Sequence, residues 1–246
     1  MSKRYEQREL EFSGQRVPFK IYRESRQSVR YYLGKNGGII RLPIFLSRKQ
    51  EEVYLNQFKG WLEKQLKKRT NSGQEYQPKT YQDGDTIQVG VRSYGLSMVY
   101  EDRQTHSGRL TNGHIALKLS NNASTESLQK DIPTLLSRLV AQDYFPQISR
   151  RVDELNDRFF QQHIGQIRLK YTHTVWGSCS RKRNLNLSTR LLFAPQEVID
   201  YVIIHELAHL IEMNHSSKFW QLVKRAMPDY KEKERWLKEN GYLCRF

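Results

Sequence analysis

The stretch IIHELAHLIEMNHSSKFW, residues 203–220, holds three of the seven histidines of a chain of 246 residues. Its pattern predicts a helix on which His205 and His209, four positions apart, share one face about one turn from each other. Two imidazoles placed in this way can bind one metal ion. Glu206, beside the first histidine, can reach a metal-bound water without being a ligand itself. The HExxH spacing therefore predicts a zinc centre with hydrolytic chemistry.

A tetrahedral catalytic zinc needs a third protein ligand and one open position. On a continuous helix Glu212 would share the face of His205, but it would lie roughly 10 Å further along the axis. His215 is the better candidate, provided that the helix ends before it. Asn214 tolerates the left-handed conformation that often ends helices, and Ser216 can cap a following helix. We therefore expect a turn between the second and third histidines.

The alternative is that these histidines have an ordinary core or surface role. An accidental HExxH in a chain with this histidine content is on the order of one in a hundred. The predicted helix is apolar on most sides, which is typical of a buried helix. Buried imidazoles and a buried carboxylate are costly unless something pairs them, and a metal ion does so. The apolar residues around the motif are Ile199, Val202, Ile203, Ile204, Leu207, Leu210 and Ile211.

The composition excludes several classes of protein. Hydrophobic residues make up 37% of the chain. Because the sequence contains no run of about 18 apolar residues, it predicts no membrane-spanning helix. The first residues, MSKRYEQRELEF, lack the apolar segment of a secretory signal. Cys179 and Cys244 are far apart and form no CxxC pair, which fits a reduced compartment and excludes a cysteine-rich zinc ribbon. We expect a cytoplasmic protein with no membrane segment.

The net charge of +15 has two interpretations. It favours a polyanionic partner such as nucleic acid or a nucleotide, or it is only a well-solvated basic surface. Arg181, Lys182 and Arg183 form a basic cluster in the turn between WGSCS and NLNLSTRLL, which we expect near the cleft. This cluster is therefore the candidate nucleic-acid contact.

The order of patterns along the chain predicts an α+β fold. The first half reads as strands, including PFKIYRES, SVRYYLG and a segment after a turn at residues 36–38, with one helix that Ser47 can cap. Residues 120–127, SNNASTES, are the expected boundary. We predict a strand-rich N-terminal region over 1–122 and a helical catalytic domain over 123–246. In the second half a long helical pattern resumes after Pro146, and a helix begins near Pro195 and continues through residue 213.

One resemblance spans nearly the whole chain. The run from WGSCS at 176–180 to HELAHLIEMNHSSKFW at 205–220, with PDYKEKERWLKENGYL at 228–243, resembles the YgjP-like (DUF45) metallopeptidase family, which is grouped with SprT-like and other zincin proteases. The resemblance implies a zincin-like core, zinc ligands at His205, His209 and His215, and a catalytic glutamate at Glu206. Many members carry arginine immediately before the motif's tryptophan, whereas this chain has Val175.

Further residues are candidates for roles around the metal. Trp176 and Cys179 could line the substrate cleft, although packing beneath the metal helix is the preferred interpretation. His173 is a candidate hydrogen-bond donor to a reaction oxyanion, with an ordinary polar strand residue as the alternative. Tyr201, one turn before the first histidine, is a candidate support for the ligands. Arg190 has the same standing.

These observations predict a zinc-dependent hydrolase, with peptide hydrolysis as the leading reaction. Zinc held by three neutral imidazoles lowers the pKa of its water towards 7. Glu206 would accept the proton of that water and deliver it to the leaving amine. Two alternatives remain open: a metal-dependent hydrolase of nucleotides or phosphoesters, which the charge favours, and a protease that acts on DNA-bound proteins, as in SprT-like relatives.

Overall fold

The computed structural model describes residues 5–12, 15–34, 37–71 and 79–246. The contacts within the chain divide it into two compact units, residues 1–78 and residues 79–246. Both units mix strands and helices, and strands dominate the first half of the chain, as the sequence predicted. None of the helices in these described ranges is long and apolar enough to cross a membrane.

The first unit is a four-stranded sheet with one helix packed against it. The strands are β1 (Tyr5–Phe12), β2 (Gln15–Glu24), β3 (Arg30–Gly34) and β4 (Gly37–Pro43). Their order in the sheet is β1-β2-β4-β3, with β2 and β4 parallel and both outer pairs antiparallel. Phe19, Ile40 and Phe58 are buried where the helix meets the sheet. Of the turn expected at 36–38, residue 36 lies outside the described residues. The helix of this unit is α1 (Arg48–Asn71).

Helix α1 begins where the sequence predicted. The Oγ of Ser47 accepts a hydrogen bond from the backbone N–H of Gln50 at 3.3 Å, and the Oε1 of Gln50 accepts one from the N–H of Ser47 at 3.0 Å. This reciprocal pair satisfies two backbone donors that the helix itself leaves without acceptors.

The second unit carries two sheets and the remaining helices around one hydrophobic core. The first sheet is formed by β5 (Thr86–Val89), β6 (Arg92–Glu101), β7 (Ser107–Thr111) and β8 (His114–Ser120), in the order β5-β6-β8-β7. The second is formed by β9 (Ile167–Lys170), β10 (Gly177–Cys179) and β11 (Leu185–Ser188), in the order β10-β11-β9. In the second sheet β11 pairs antiparallel with β10 and parallel with β9. The helices are α2 (Thr125–Phe159), a 3-10 helix (Thr189–Phe193), α3 (Gln196–Ala208), α4 (Ser217–Ala226) and α5 (Tyr230–Asn240).

The division of the chain differs from the boundary expected between residues 122 and 123. Leu96 of β6 and Leu117 of β8 share a core with Leu136 of α2 and Ile203 of α3. Because the strands before residue 122 bury their apolar face against the helices after it, the two cannot be separate units. The polar stretch at 120–127 is instead a short connection, and Ser124 in it caps α2 by accepting from the N–H of Ser127.

Helix α2 positions the helix that carries the histidine motif. It runs unbroken through Pro146, where the sequence pattern is interrupted. Arg151 on α2 donates two hydrogen bonds to the carboxylate of Asp200 on α3, at 2.9 and 2.7 Å. Asp200 is almost fully buried, so this paired contact fixes α3 against α2.

Helix α3 is shorter than the pattern predicted, because it ends at Ala208 rather than near residue 213. His209 takes the cap position, and a turn follows in which the N–H of Glu212 donates to the carbonyl of Ala208 at 3.0 Å. The expectation that Asn214 adopts the left-handed conformation is wrong, since its φ is not positive. Ser216 caps α4 as predicted, with its Oγ accepting from the N–H of Phe219.

Candidate metal centre

The end of α3 and the turn after it bring three imidazoles together. His205 lies in the last turn of α3, His209 caps that helix, and His215 lies two residues before α4. Their donor nitrogens all lie within 4.8 Å of one another. His209 is buried, His205 is partly buried and His215 is exposed, so the cluster faces solvent on the side of the third histidine.

The chemistry of these residues fits zinc. Nε2 of His205 lies 3.0 Å from Nε2 of His215. This distance is close to the spacing of about 3.3 Å between two nitrogen ligands of a tetrahedral zinc with bonds of about 2.0–2.1 Å. Burial, with the neighbouring His209 and His215, lowers the pKa of His205 to about 4. Burial also lowers the pKa of His209. Both rings are therefore neutral at pH 7, as metal ligation requires.

Backbone contacts orient His209. Its Nδ1 lies 3.1 Å from the backbone carbonyl oxygen of Glu212, so an N–H there donates to that oxygen and leaves Nε2 for the metal. The carboxylate of Glu212 accepts from the N–H of Asn214 at 3.4 Å. Glu212 and Asn214 therefore shape the turn, and neither belongs to the group of donors. The Nδ1 of His205 is buried and has no hydrogen-bond partner among the described residues.

Aromatic side chains enclose the three imidazoles. The ring of Phe219, fully buried, lies 4.5–4.9 Å from all three histidine rings. Trp220 stacks on His215 at 5.8 Å, and Tyr201 meets His205 edge-on at 6.0 Å. The apolar enclosure limits the approach of water to the inner side of the cluster.

Sequence reasoning found only part of this enclosure. It named Tyr201 but not Phe219, Trp220 or Tyr230, which stacks on Trp220 at 5.4 Å. The aromatic pair in SSKFW, four and five positions after His215, was the available signal. Tyr230 could not be found in this way, because a separate helix brings it to the site.

Glu206 is buried beside the cluster. It is 5% exposed, and burial raises its pKa to about 8. A divalent cation held by the histidines would oppose that shift, because a nearby positive charge favours the carboxylate. Strand β10 lies directly against this side chain: a Cβ added to Gly177 would stand 2.5 Å from Oε1 of Glu206. A Cβ at residue 177 would therefore force the buried Glu206 carboxylate to shift.

Cys179, two residues further along β10, is also close to Glu206. Burial first, and then the negative charge of Glu206, raise the pKa of the Cys179 thiol to about 11. A thiol with this pKa stays protonated at pH 7. The described donors that could hold a metal are the three histidines, and Cys179 is not one of them.

Trp176 packs between an arginine and the end of α5. The guanidinium of Arg190 lies 4.3 Å from the Trp176 ring, and a Cβ on Gly241 would meet Cζ2 of that ring at 2.5 Å. Arg190 donates to the carbonyl oxygens of Gly241, Cys244 and His173 at 2.7, 2.8 and 3.0 Å. Burial lowers the pKa of Arg190. Trp176 thus packs against Arg190 and the end of α5, and a place beneath the metal helix stays a prediction.

His173 and the basic turn occupy other places. The ring of His173 meets Tyr171 edge-on at 4.6 Å, and a role as oxyanion donor stays a prediction. In the basic turn, Arg183 donates to the carbonyl of His163 at 2.7 Å and to Oε1 of Gln162 at 2.8 Å. Arg183 therefore holds the turn itself, and Arg181 and Lys182 are its exposed cations.

Comparison with known proteins places the chain in a class, the metallopeptidases, and then in one family of that class. The chain belongs to the YgjP-like family: the family model described as "YgjP-like, metallopeptidase domain" matches residues 27–240. This match covers most of the chain, including β10, α3 and the three histidines. The resemblance that the sequence motifs indicated is therefore confirmed.

Two solved structures are similar to part of the chain. One is the metallopeptidase zymogen abylysin of Pyrococcus abyssi, 26% identical over 37% of this chain and 93% of that one, with a TM-score of 0.35. The other is the metallopeptidase zymogen jannalysin of Methanocaldococcus jannaschii, 24% identical over 37% of this chain and 94% of that one, with a TM-score of 0.34. A search of curated proteins found no match.

Proposed function

We propose that the chain is a zinc-dependent peptidase, in which His205, His209 and His215 hold the metal and Glu206 is the general base. The observation that carries the proposal is one cluster of three imidazoles whose donor nitrogens lie within 4.8 Å of one another, with a buried carboxylate on the same helix. Membership of a metallopeptidase family supports a peptide or protein as the substrate. A location in the cytoplasm stays a prediction.

Zinc, when bound, would polarise the substrate carbonyl and lower the pKa of a water molecule, leaving the protein to position the reacting groups. Glu206 accepts the proton of the attacking water and delivers it to the leaving amine. Gly177 holds the Glu206 carboxylate in place from β10. Phe219 and Trp220 keep the imidazole rings in a fixed orientation and exclude water from behind them.

Hydrolysis of a nucleotide or of another phosphoester is the rival reaction, and the net charge of +15 is its support. It predicts activity on nucleoside triphosphates, whereas peptidase chemistry predicts release of new amino termini. The comparisons with known proteins give no support to the third hypothesis, a protease that acts on proteins bound to nucleic acid. The basic turn also offers two exposed cations instead of the three that the sequence indicated.

The test is a substrate screen of the zinc-loaded full chain, with a peptide library in one arm and nucleoside triphosphates in the other. Glu206→Gln is the blank, and Glu197→Gln is the matched control, because it makes the same change of charge at an exposed position of α3. Cleavage of peptides that falls about 10²–10⁴-fold in Glu206→Gln and persists in Glu197→Gln is the expected result. Hydrolysis of nucleotides alone would replace the peptidase assignment, and wild-type rates in Glu206→Gln would remove the general base.

A further inference from the structure

A second concave site lies between α2 and the edge strand β9. None of the residues that line it is a candidate metal ligand, and none is an aromatic neighbour of the three clustered histidines. Its volume is about 430 Å³, within the range of pockets that hold small organic molecules. One wall is a single face of α2, formed by Arg138, Ala141 and Phe145 at helical spacing. The opposite wall is the end of β9 with Lys170 and Tyr171.

The charge of this cavity is one-sided. Arg138 enters its lining from α2 and Lys170 from β9, and of the described residues that line it none is acidic. Elsewhere on α2 the cations Lys130 and Arg151 have carboxylate partners at 2.7–2.9 Å. Arg138 and Lys170 have no such partner within the described ranges. Two cations that share a cavity without a counter-charge favour an anion between them.

A buried hydroxyl in the same lining lacks a partner. Thr189 is 1% exposed, and its Oγ1 makes no hydrogen bond to any described residue. The other buried hydroxyl of the lining, on Ser137, donates to the carbonyl of Thr134 in its own helix at 2.9 Å. A sealed hydroxyl without a partner costs free energy unless a ligand or a water satisfies it. Thr189 therefore marks a place beside the cavity where a water or a ligand would supply the missing partner.

Part of the remaining lining is apolar. Ala141, Phe145 and Leu169 contribute hydrocarbon surface, and Phe145 is 38% exposed although it is a large aromatic residue. An inorganic anion would leave this surface in contact with water, whereas an organic anion would cover it. We propose that this cavity binds a small organic anion, with its carboxylate or phosphate between Arg138 and Lys170 and its apolar body against Phe145 and Leu169.

Direct titration by calorimetry tests the proposal. The probes are phenyl phosphate and benzoate, which distinguish the two anionic groups, inorganic phosphate, which lacks the apolar body, and benzyl alcohol, which lacks the charge. The titrations use the zinc-free full chain, because a loaded metal centre also attracts anions. The result therefore does not depend on whether the peptidase proposal holds.

Saturable binding of one aromatic anion, tighter than that of inorganic phosphate or benzyl alcohol, is expected. Arg138→Gln and Lys170→Gln should each raise Kd about tenfold, and Thr189→Val about threefold, given the usual contributions of charged and neutral hydrogen bonds. Arg150→Gln is the matched control, since Arg150 is exposed on α2 and outside the cavity lining. Arg138 and Lys170 are also exposed, so their replacement leaves the core intact.

Two results would overturn the proposal. One is the absence of saturable binding of either aromatic anion below about 10 mM. The other is an equal loss of affinity in Arg150→Gln and in the two cavity variants, which would mean that only the overall charge attracts the anion. Retention of wild-type affinity in Thr189→Val would remove the hydroxyl from the site without removing the two cations.

Discussion

Gly177 and Glu206 lie in direct contact: a methyl group on the glycine would stand 2.5 Å from Oε1, 2.7 Å from Cγ and 2.8 Å from Cδ of the glutamate. The backbone of Gly177 has no positive φ, so conformation does not require glycine at this position. The space needed by the carboxylate does. The edge strand of a small sheet thus sets where the proposed general base can be.

Gly177→Ala is expected to lower kcat for peptide hydrolysis by about 10²-fold, because a carboxylate displaced by about 1 Å loses its alignment with the water. Zinc content and KM should change little, since the histidines are untouched. Kinetics and metal analysis on the same preparations measure both. Gly60→Ala is the control, because a Cβ there meets nothing within 4 Å. An alanine variant with wild-type kcat would show that the carboxylate tolerates the shift.

Loss of His215 should weaken zinc binding as strongly as loss of His209, and by more than the roughly 10–100-fold that an outer-shell change costs. Competition titration with a chromophoric chelator measures the affinity. Glu212→Gln is expected to keep zinc, because its contact with His209 uses the backbone carbonyl. His163→Ala, an exposed histidine elsewhere, serves as the control. If Glu212→Gln released zinc while His215→Ala retained it, the third ligand would be the glutamate.

Removal of Arg151 should destabilise the second unit. Arg151→Gln leaves the buried Asp200 without its two charged hydrogen bonds, although Gln196 still donates to it at 2.9 Å. Because the arginine is itself partly exposed, a loss of about 1–3 kcal/mol in the free energy of unfolding is expected. Urea denaturation measures it, with Arg150→Gln as a neighbouring control. An unchanged midpoint would mean that water replaces the guanidinium without cost.

The reactivity of Cys179 should report the charge of Glu206. With a pKa raised to about 11 from an ordinary value of 9.0, the thiol has about 100-fold less thiolate at pH 8 than an unperturbed one. In a Cys244→Ser background, the alkylation rate of the folded protein should still be rising steeply at pH 10, whereas in urea it should be half-maximal near pH 9 and close to its plateau at pH 10. Glu206→Gln should move the folded profile towards lower pH. A folded profile with its midpoint near pH 9 would contradict the raised pKa, and an unchanged profile in Glu206→Gln would contradict the contribution of the glutamate.

The cluster of three histidines could be predicted from sequence because its geometry is local. The spacing of His205 and His209 fixes a shared helix face, and the distance from Glu212 to His205 along a helix already favoured His215. Ser216 followed from the need to restart a helix. Asn214 did not behave as expected, because the turn after α3 closes through backbone hydrogen bonds that need no left-handed residue.

Contacts between distant segments could not be predicted. Nothing in WGSCS indicates that Gly177 lies against Glu206, since the contact depends on how β10 packs on α3. Arg190 was named only as a general candidate, whereas its acceptors lie 17, 51 and 54 residues away. The boundary at 122 failed for the same reason, because a polar connection between two packed elements has the same composition as a linker.

The contacts among the three proposed metal ligands and the contacts that hold the proposed general base close loops of very different length. His205 and His215 are 10 residues apart, so closing the loop that carries all three imidazoles costs little chain entropy. The contacts that hold Trp176 and Gly177 close loops several times longer and form only when α5 and the second sheet have docked. If the three histidines bind zinc as proposed, we expect a partly folded chain to bind the metal before it can hydrolyse a peptide. Bound metal reports that one turn has formed, and only turnover reports that the whole centre has assembled.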